Sequence, residues 1–273
     1  MEWSRAKKYT VIILILLNIV LMGLNIYKSF ETRLTNSRIS DVTTLLSSRG
    51  VTITCSLPVS YKPMAAISTS DYSFDFVRLQ RIFMSGETNV RRTDEYNSVV
   101  FISDSSRLSV RGSTLSFTSS VSENISDSSM ARRYSDDMID KINEDFGDYK
   151  FHSISETEDG YIVKYYEKWG RKNVFSNFAY FTIKGNNIAL ALNYVKLGGE
   201  VNERKNIFAA DEALYSAINN IKEDGEKANI TCVELGYYVI NSSYGAGNYG
   251  TPFYLIIANG KEYYVNAYTG ECF

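Results

Sequence analysis

Nineteen consecutive residues without a charge, YTVIILILLNIVLMGLNIY at positions 9–27, constrain this chain more than any other feature. As an α-helix the stretch is roughly 28 Å long, close to the ~30 Å of a bilayer's hydrocarbon core. Ile, Leu, Val and Met occupy every side of that helix, interrupted by Asn18, Gly23 and Asn25. A helix packed on a soluble core would show a polar face instead, so the stretch reads as a transmembrane anchor. The leader at residues 1–8 carries Arg5, Lys7 and Lys8 against Glu2. Basic residues flanking a first span are retained in the cytoplasm, which predicts a cytoplasmic N-terminus and an extracytoplasmic remainder at the cell membrane. A cleaved signal peptide needs small residues after a shorter apolar run, whereas NIYKSFETRL follows Leu24 here; the anchor reads as uncleaved.

Asn18 and Asn25 stand seven residues apart with Met22 between them and Gly23 beside it, which places them along one stripe of the helix. An amide in hydrocarbon needs a partner, and asparagines hydrogen-bond across helices for about 0.6–2 kcal/mol. Asn18, Met22, Gly23 and Asn25 are therefore a candidate helix–helix contact. The competing reading is that a single span tolerates asparagine, Asn25 especially, near the outer interface.

Beyond the anchor, a net charge of −2 with scattered cations gives no nucleic-acid footprint. Twenty-one tyrosines against three prolines suit antiparallel strands joined by tight turns. A juxtamembrane helix is expected within residues 28–50, closed by Gly50, then a strand at 51–58 and an extended linker at 63–64. A helix at 71–84 precedes strands near 90–93, 98–102, 107–111 and 114–118. A second helix at 128–146 precedes strands at 149–157 and 161–169, with Asp159-Gly160 as a type I′ turn, and a hairpin of 178–183 with 188–195 through Gly185, Asn186 and Asn187. A third helix at 208–224 leads to strands at 230–241, 253–258 and 261–267, the last two joined by Asn259-Gly260. Repetition of a helix followed by an antiparallel meander predicts an α+β fold, with extracytoplasmic subdomains at 51–126 and 127–273.

Chemistry is sparse. His152 is the single histidine and has no metal-ligand spacing around it. Asp136 with Asp137, and Glu156 with Glu158, read as solvated surface, because adjacent helical carboxylates diverge by about 100°. Gly245, Gly247 and Gly250 lack the helix N-terminus that a phosphate-binding loop requires. No catalytic, cofactor or metal residue is assigned, and no enzyme activity is expected. Cys232 and Cys272 could pair in an oxidising compartment; the other reading is that they and Cys55 are separate thiols.

The opening MEWSRAKKYTVIILILLNI resembles the YycI members of the YycH/YycI family of membrane-anchored accessory proteins. LLSSRGVTITCSLP at 45–58 is similar to the strand that opens their outer domain, and FYLIIANGKEYYVNAYTGE at 253–271 to the final hairpin of such proteins and of PepSY-type modules. The resemblance implies a non-enzymatic regulator of Gram-positive bacteria. It would bind the sensor histidine kinase of the WalK/WalR two-component system, which governs cell-wall metabolism, together with a YycH-like protein. The alternative is a PepSY-like extracytoplasmic binding or inhibitory module, tethered by its anchor and acting on a hydrolase or wall component.

Overall fold

The computed structural model describes residues 2–95, 97–223, 227–240 and 248–273. Helix α1, Glu2–Glu31, extends the apolar stretch at both ends into one 30-residue helix. Its window Lys7–Leu24 is long and apolar enough to cross a membrane, and none of it is buried within the protein. A short extended segment then breaks the helix before α2, Asn36–Ser48. Thr35 caps α2 by accepting the Arg38 N–H, and Gly50 takes a left-handed φ of +81° at its far end.

Strand β1, Val51–Ile53, is shorter than the sequence implied, and β2, Met64–Ser70, stands where a linker was expected. Helix α3, Phe76–Phe83, starts five residues late because Asp75 caps it, accepting the N–H groups of Val77 and Arg78. Strands β3 (Arg91–Glu95), β4 (Ser98–Ile102), β5 (Ser106–Arg111) and β6 (Thr114–Ile125) follow as antiparallel neighbours. Helix α4, Ser128–Asn143, is capped by Asp127. Then come β7 (Tyr149–Thr157), β8 (Gly160–Trp169), β9 (Lys172–Asn193), β10 (Lys196–Lys205), α5 (Ala210–Glu223), β11 (Ala228–Ile240), β12 (Tyr249–Ala258) and β13 (Lys261–Asn266).

Two turn assignments change. Thr157 pairs with Gly160, so the first hairpin turns on Glu158 and Asp159, neither of which has positive φ; it is not type I′. The hairpin expected at 185–187 is absent, because β9 runs unbroken through Gly185. Up to Ile183 it pairs with β8, and from Gly185 to Asn193 it pairs with β6. The left-handed φ of +60° at Gly185 bends the strand instead of reversing it. Asn259 and Gly260, at φ +50° and +80°, do form the turn their sequence indicated.

The chain divides into two compact units, neither continuous in sequence. Unit one comprises Met1–Met64, Arg204–Glu234 and Tyr254–Phe273; unit two comprises Ala65–Glu203 and Leu235–Phe253. A linear division at residue 126 would cut through unit two, where the β6–β9 ladder joins 114–125 to 185–193.

In unit one, β1 lies parallel to the start of β11, from Val51↔Ala228 to Ile53↔Ile230. Helix α5 packs on β13 and buries Ala213, Leu214, Ala217, Ile218 and Ile221, while α2 lies against β1 and α5 and buries Val42 and Leu46. In unit two, β6, β5, β4 and β3 follow β9 as successive neighbours, and β8 and then β7 continue from β9. Helices α3 and α4 cover a core that includes Leu79, Leu108, Phe117, Ile142, Val163, Phe181 and Leu190.

At Tyr237↔Val174, β11 runs parallel to β9, and the strands meet across Gly236. A Cβ there would sit 2.4 Å from the Asn173 carbonyl oxygen and 2.6 Å from the Phe175 ring. Gly236→Ala is accordingly expected to cost about 2–3 kcal/mol through overpacking. The check is a lower urea midpoint by Trp169 fluorescence; an unchanged midpoint would refute the close approach.

Candidate membrane-linked interaction site

In α1, the Asn18 side-chain amide donates to the Leu14 carbonyl one turn earlier at 3.0 Å, which satisfies part of its hydrogen-bonding capacity within the helix. Met22 is exposed, and a Cβ on Gly23 would meet nothing within 4 Å, so this stripe is open to a neighbouring helix. The side chain of Asn25 lies outside the described residues.

Below the stripe, the chain leaving α1 is fastened to the segment before β2. Arg33 forms an antiparallel bridge with Ser60. The Leu34 N–H donates to the Val59 carbonyl at 2.7 Å, the Tyr61 N–H to the Thr32 carbonyl at 3.0 Å, and the Tyr61 hydroxyl to the Glu31 carbonyl at 2.8 Å. Leu34 is buried beneath these bonds. Tyr61 thus caps a carbonyl of the last turn of α1, and the chain leaving that helix is held within unit one by paired backbone.

From there α2 carries Arg38 to the first turn of α5. Its guanidinium lies 2.7 Å from Asp211 Oδ2 and 3.3 Å from Glu212 Oε1. The partners are 173 and 174 residues apart, so no sequence spacing announces them.

A second cluster is buried in unit two. Within the β8–β9 ladder, the register jumps from Tyr166↔Phe178 to Glu167↔Val174, and residues 175–177 form a bulge. Its side chains replace lost ladder bonds. Ser176 Oγ accepts the Val239 N–H at 2.7 Å, and Asn177 accepts the Val195 N–H at 3.0 Å while donating to the Val195 carbonyl at 2.8 Å. Asn177 also donates to the buried carboxylate of Glu167. Burial pushes the Glu167 carboxyl up to about 7; the Asn177 bond opposes the shift and the charge of Asp148 adds to it. Tyr149, raised by its own burial and by Glu167, donates to the Asn193 carbonyl at 2.8 Å.

The other residues singled out in the sequence are dispersed. His152 packs edge-on to Tyr166 with Nδ1 3.4 Å from the Asn173 amide, a structural environment. Asp136 is not mere solvated surface: it accepts the Tyr165 hydroxyl at 2.9 Å and pairs with Arg132, which lies over the Phe151 ring. Glu156 and Glu158 are exposed. Gly245 and Gly247 lie outside the described residues, and Gly250 is buried in β12. Cys55, Cys232 and Cys272 are half-buried, and no disulfide joins Cys232 to Cys272. Among the described residues, no three His, Cys, Asp or Glu side chains gather as a metal site would require.

No protein-family model and no curated protein matches the chain. Among solved structures, it is similar to an uncharacterized protein from Eubacterium rectale ATCC 33656, at 9% identity and a TM-score of 0.54, over 82% of this chain and 90% of that one. It also matches the Bacillus megaterium YpeB C-terminal domain at 7% identity over 74% of this chain and 96% of that domain, with a TM-score of 0.39. At these identities the first likeness is one of fold alone.

Proposed function

We propose that this chain is a non-enzymatic, membrane-anchored regulatory protein that binds and modulates a sensor histidine kinase controlling the cell wall, as its resemblance to YycI proteins implies. The observation that supports this reading is the fastening of α1 to unit one through Arg33, Leu34 and Tyr61. A partner gripping the Asn18–Met22 stripe would displace the outer unit along with the helix. Regulation then requires that the chain contact the kinase's signalling states unequally, since a partner that binds both states alike shifts nothing.

The test is gentle-detergent co-purification from native membranes of the parent chain, of the double variant Asn18→Leu with Asn25→Leu, and of a chain whose residues 9–27 are replaced by an unrelated apolar span. The kinase and a YycH-like protein should accompany the parent and be depleted at least fivefold from both variants, with the outer region still folded. Failure of the kinase to accompany the parent would reject the assignment. Retention by the replaced anchor would favour a tethered PepSY-like module acting through its outer surface.

A further inference from the structure

Unit one brings together two cysteines that lie roughly 175 residues apart in the sequence. Strand β1 runs parallel to β11 in one-for-one register from Val51↔Ala228 to Ile53↔Ile230, and the Thr54 N–H carries the ladder one step on by donating to the Ile230 carbonyl at 2.9 Å. The next residues in that register are Cys55 and Cys232. Their side chains share a face. Thr52 and Thr54 are exposed while Val51, Ile53 and Cys55 are buried or half-buried; Asn229 and Thr231 are exposed while Ala228, Ile230 and Cys232 are buried or half-buried. The N–H of Val233, the residue after Cys232, also favours the ionised Cys55 sulfur, so that sulfur sits beside the backbone of β11. Cys272 is elsewhere. It bridges to Val265 in β13, and β13 pairs with β12, the neighbour of β11, so three strand spacings, roughly 14 Å, part it from Cys232.

We propose that Cys55 and Cys232 are a disulfide-forming pair, joined by a disulfide-bearing oxidant and tying the segment after α2 to β11. Neighbouring strands lie about 4.7–4.9 Å apart, within the 4.4–6.8 Å between Cα atoms that a disulfide usually takes. It also needs Cβ atoms about 3.5–4.5 Å apart, so the two residues must close by about 1 Å. Cys55 is placed to make that movement, at a bend two residues past the last ladder pair. The step is a thiol–disulfide exchange. One cysteine gives its proton to solvent, and its thiolate attacks the oxidant's S–S bond, forming a mixed disulfide and releasing one thiolate. The second cysteine, likewise deprotonated, attacks the protein sulfur of the mixed disulfide and releases the other thiolate. Two protein thiols thereby lose two electrons and two protons, and the oxidant's disulfide is reduced to two thiols. Burial pushes the Cys55 thiol up, so the exchange quickens as pH rises. Closing so long a loop restricts the unfolded chain, so the oxidised form resists urea better. The pairing depends on the register of unit one and not on the identity of a partner.

In the test, the full chain is purified in mild detergent, reduced, and incubated in its folded state with oxidised glutathione near pH 8. It is then alkylated with N-ethylmaleimide in denaturant and digested without reductant for mass spectrometry. A peptide pair joined through Cys55 and Cys232 is expected, with maleimide labels falling from three per chain to one, on Cys272. Cys272→Ser should keep the linked pair, and Cys55→Ser or Cys232→Ser should abolish it. The urea midpoint of the parent should rise on oxidation and that of Cys55→Ser should not. The linked peptide is read in the parent itself, so a serine variant that folds poorly does not blur the result. Three labels retained, glutathione held on Cys55 or Cys232 without a link, or a bond from either to Cys272 would each overturn the pairing. Bonds only between copies, or a linked pair that forms in urea and not in the folded chain, would overturn it equally.

Discussion

Asn177→Ala is expected to destabilise unit two by about 4 kcal/mol, because one truncation strips three buried partners at once. Asn177 is fully buried and serves the Val195 N–H, the Val195 carbonyl and the Glu167 carboxylate. Leaving a buried neutral group unsatisfied costs about 1–3 kcal/mol, and a buried charge costs more. Two outcomes should appear together in urea unfolding followed through Trp169, two residues from Glu167 in β8. The midpoint falls sharply at pH 7, and the loss shrinks at pH 5, where Glu167 is protonated in the folded protein. A loss below 1 kcal/mol, or one that does not vary with pH, would show that the bulge is satisfied in some other way.

Glu167→Gln should act in the opposite sense, and increasingly so as pH rises. Burial pushes the folded-state carboxyl up to about 7 from its ordinary 4.5. Between those values the folded protein holds a proton that the unfolded chain has released, so stability falls as pH rises from about 4.5 through 7. The accumulated loss is about 3–4 kcal/mol above pH 8, at 1.36 kcal/mol per unit. Glutamine keeps an acceptor for the Asn177 amide and has no charge to bury. The variant should match the parent near pH 4.5 and exceed its stability by about 3–4 kcal/mol at pH 8. Parallel stability–pH curves for the two proteins would refute a perturbed Glu167.

How much of this was legible in the sequence depends on the range of the interaction. The α+β class, the helices and most hairpin strands follow from local pattern: Leu108 and Val110 alternate with Arg107, Ser109 and Arg111 in β5, and Asn259-Gly260 fixes its own turn. Strands β2 and β10 were missed because MAAISTS and KLGGEVNERK carry few large apolar residues. Gly185 read as a turn because its left-handed φ is shared by turns and bends, and only the pairing of 185–193 with β6 separates the two. The site was less legible still. The fastening of Arg33 to Ser60 and the reach of Arg38 to Asp211 join segments with no local signature. Glu167 sits in EKWGRK, whose charges suggest solvent; its burial arises from a three-residue register slip that periodicity cannot express.

The discontinuity of unit one sets an order of events during synthesis. Strand β1 waits for β11, some 175 residues downstream, and the last part of the unit, Tyr254–Phe273, comes about 190 residues after its first segment ends at Met64. At about 5–20 residues per second that interval is on the order of 10–40 s. Throughout it, Val42, Leu46 and Val51 have no finished core to enter, while 65–203, the larger part of unit two, is already available to fold. The segment made first is therefore the last to be enclosed, and a nascent chain stalled before residue 254 would present the apolar side of α2 as a ready target for a chaperone or a protease.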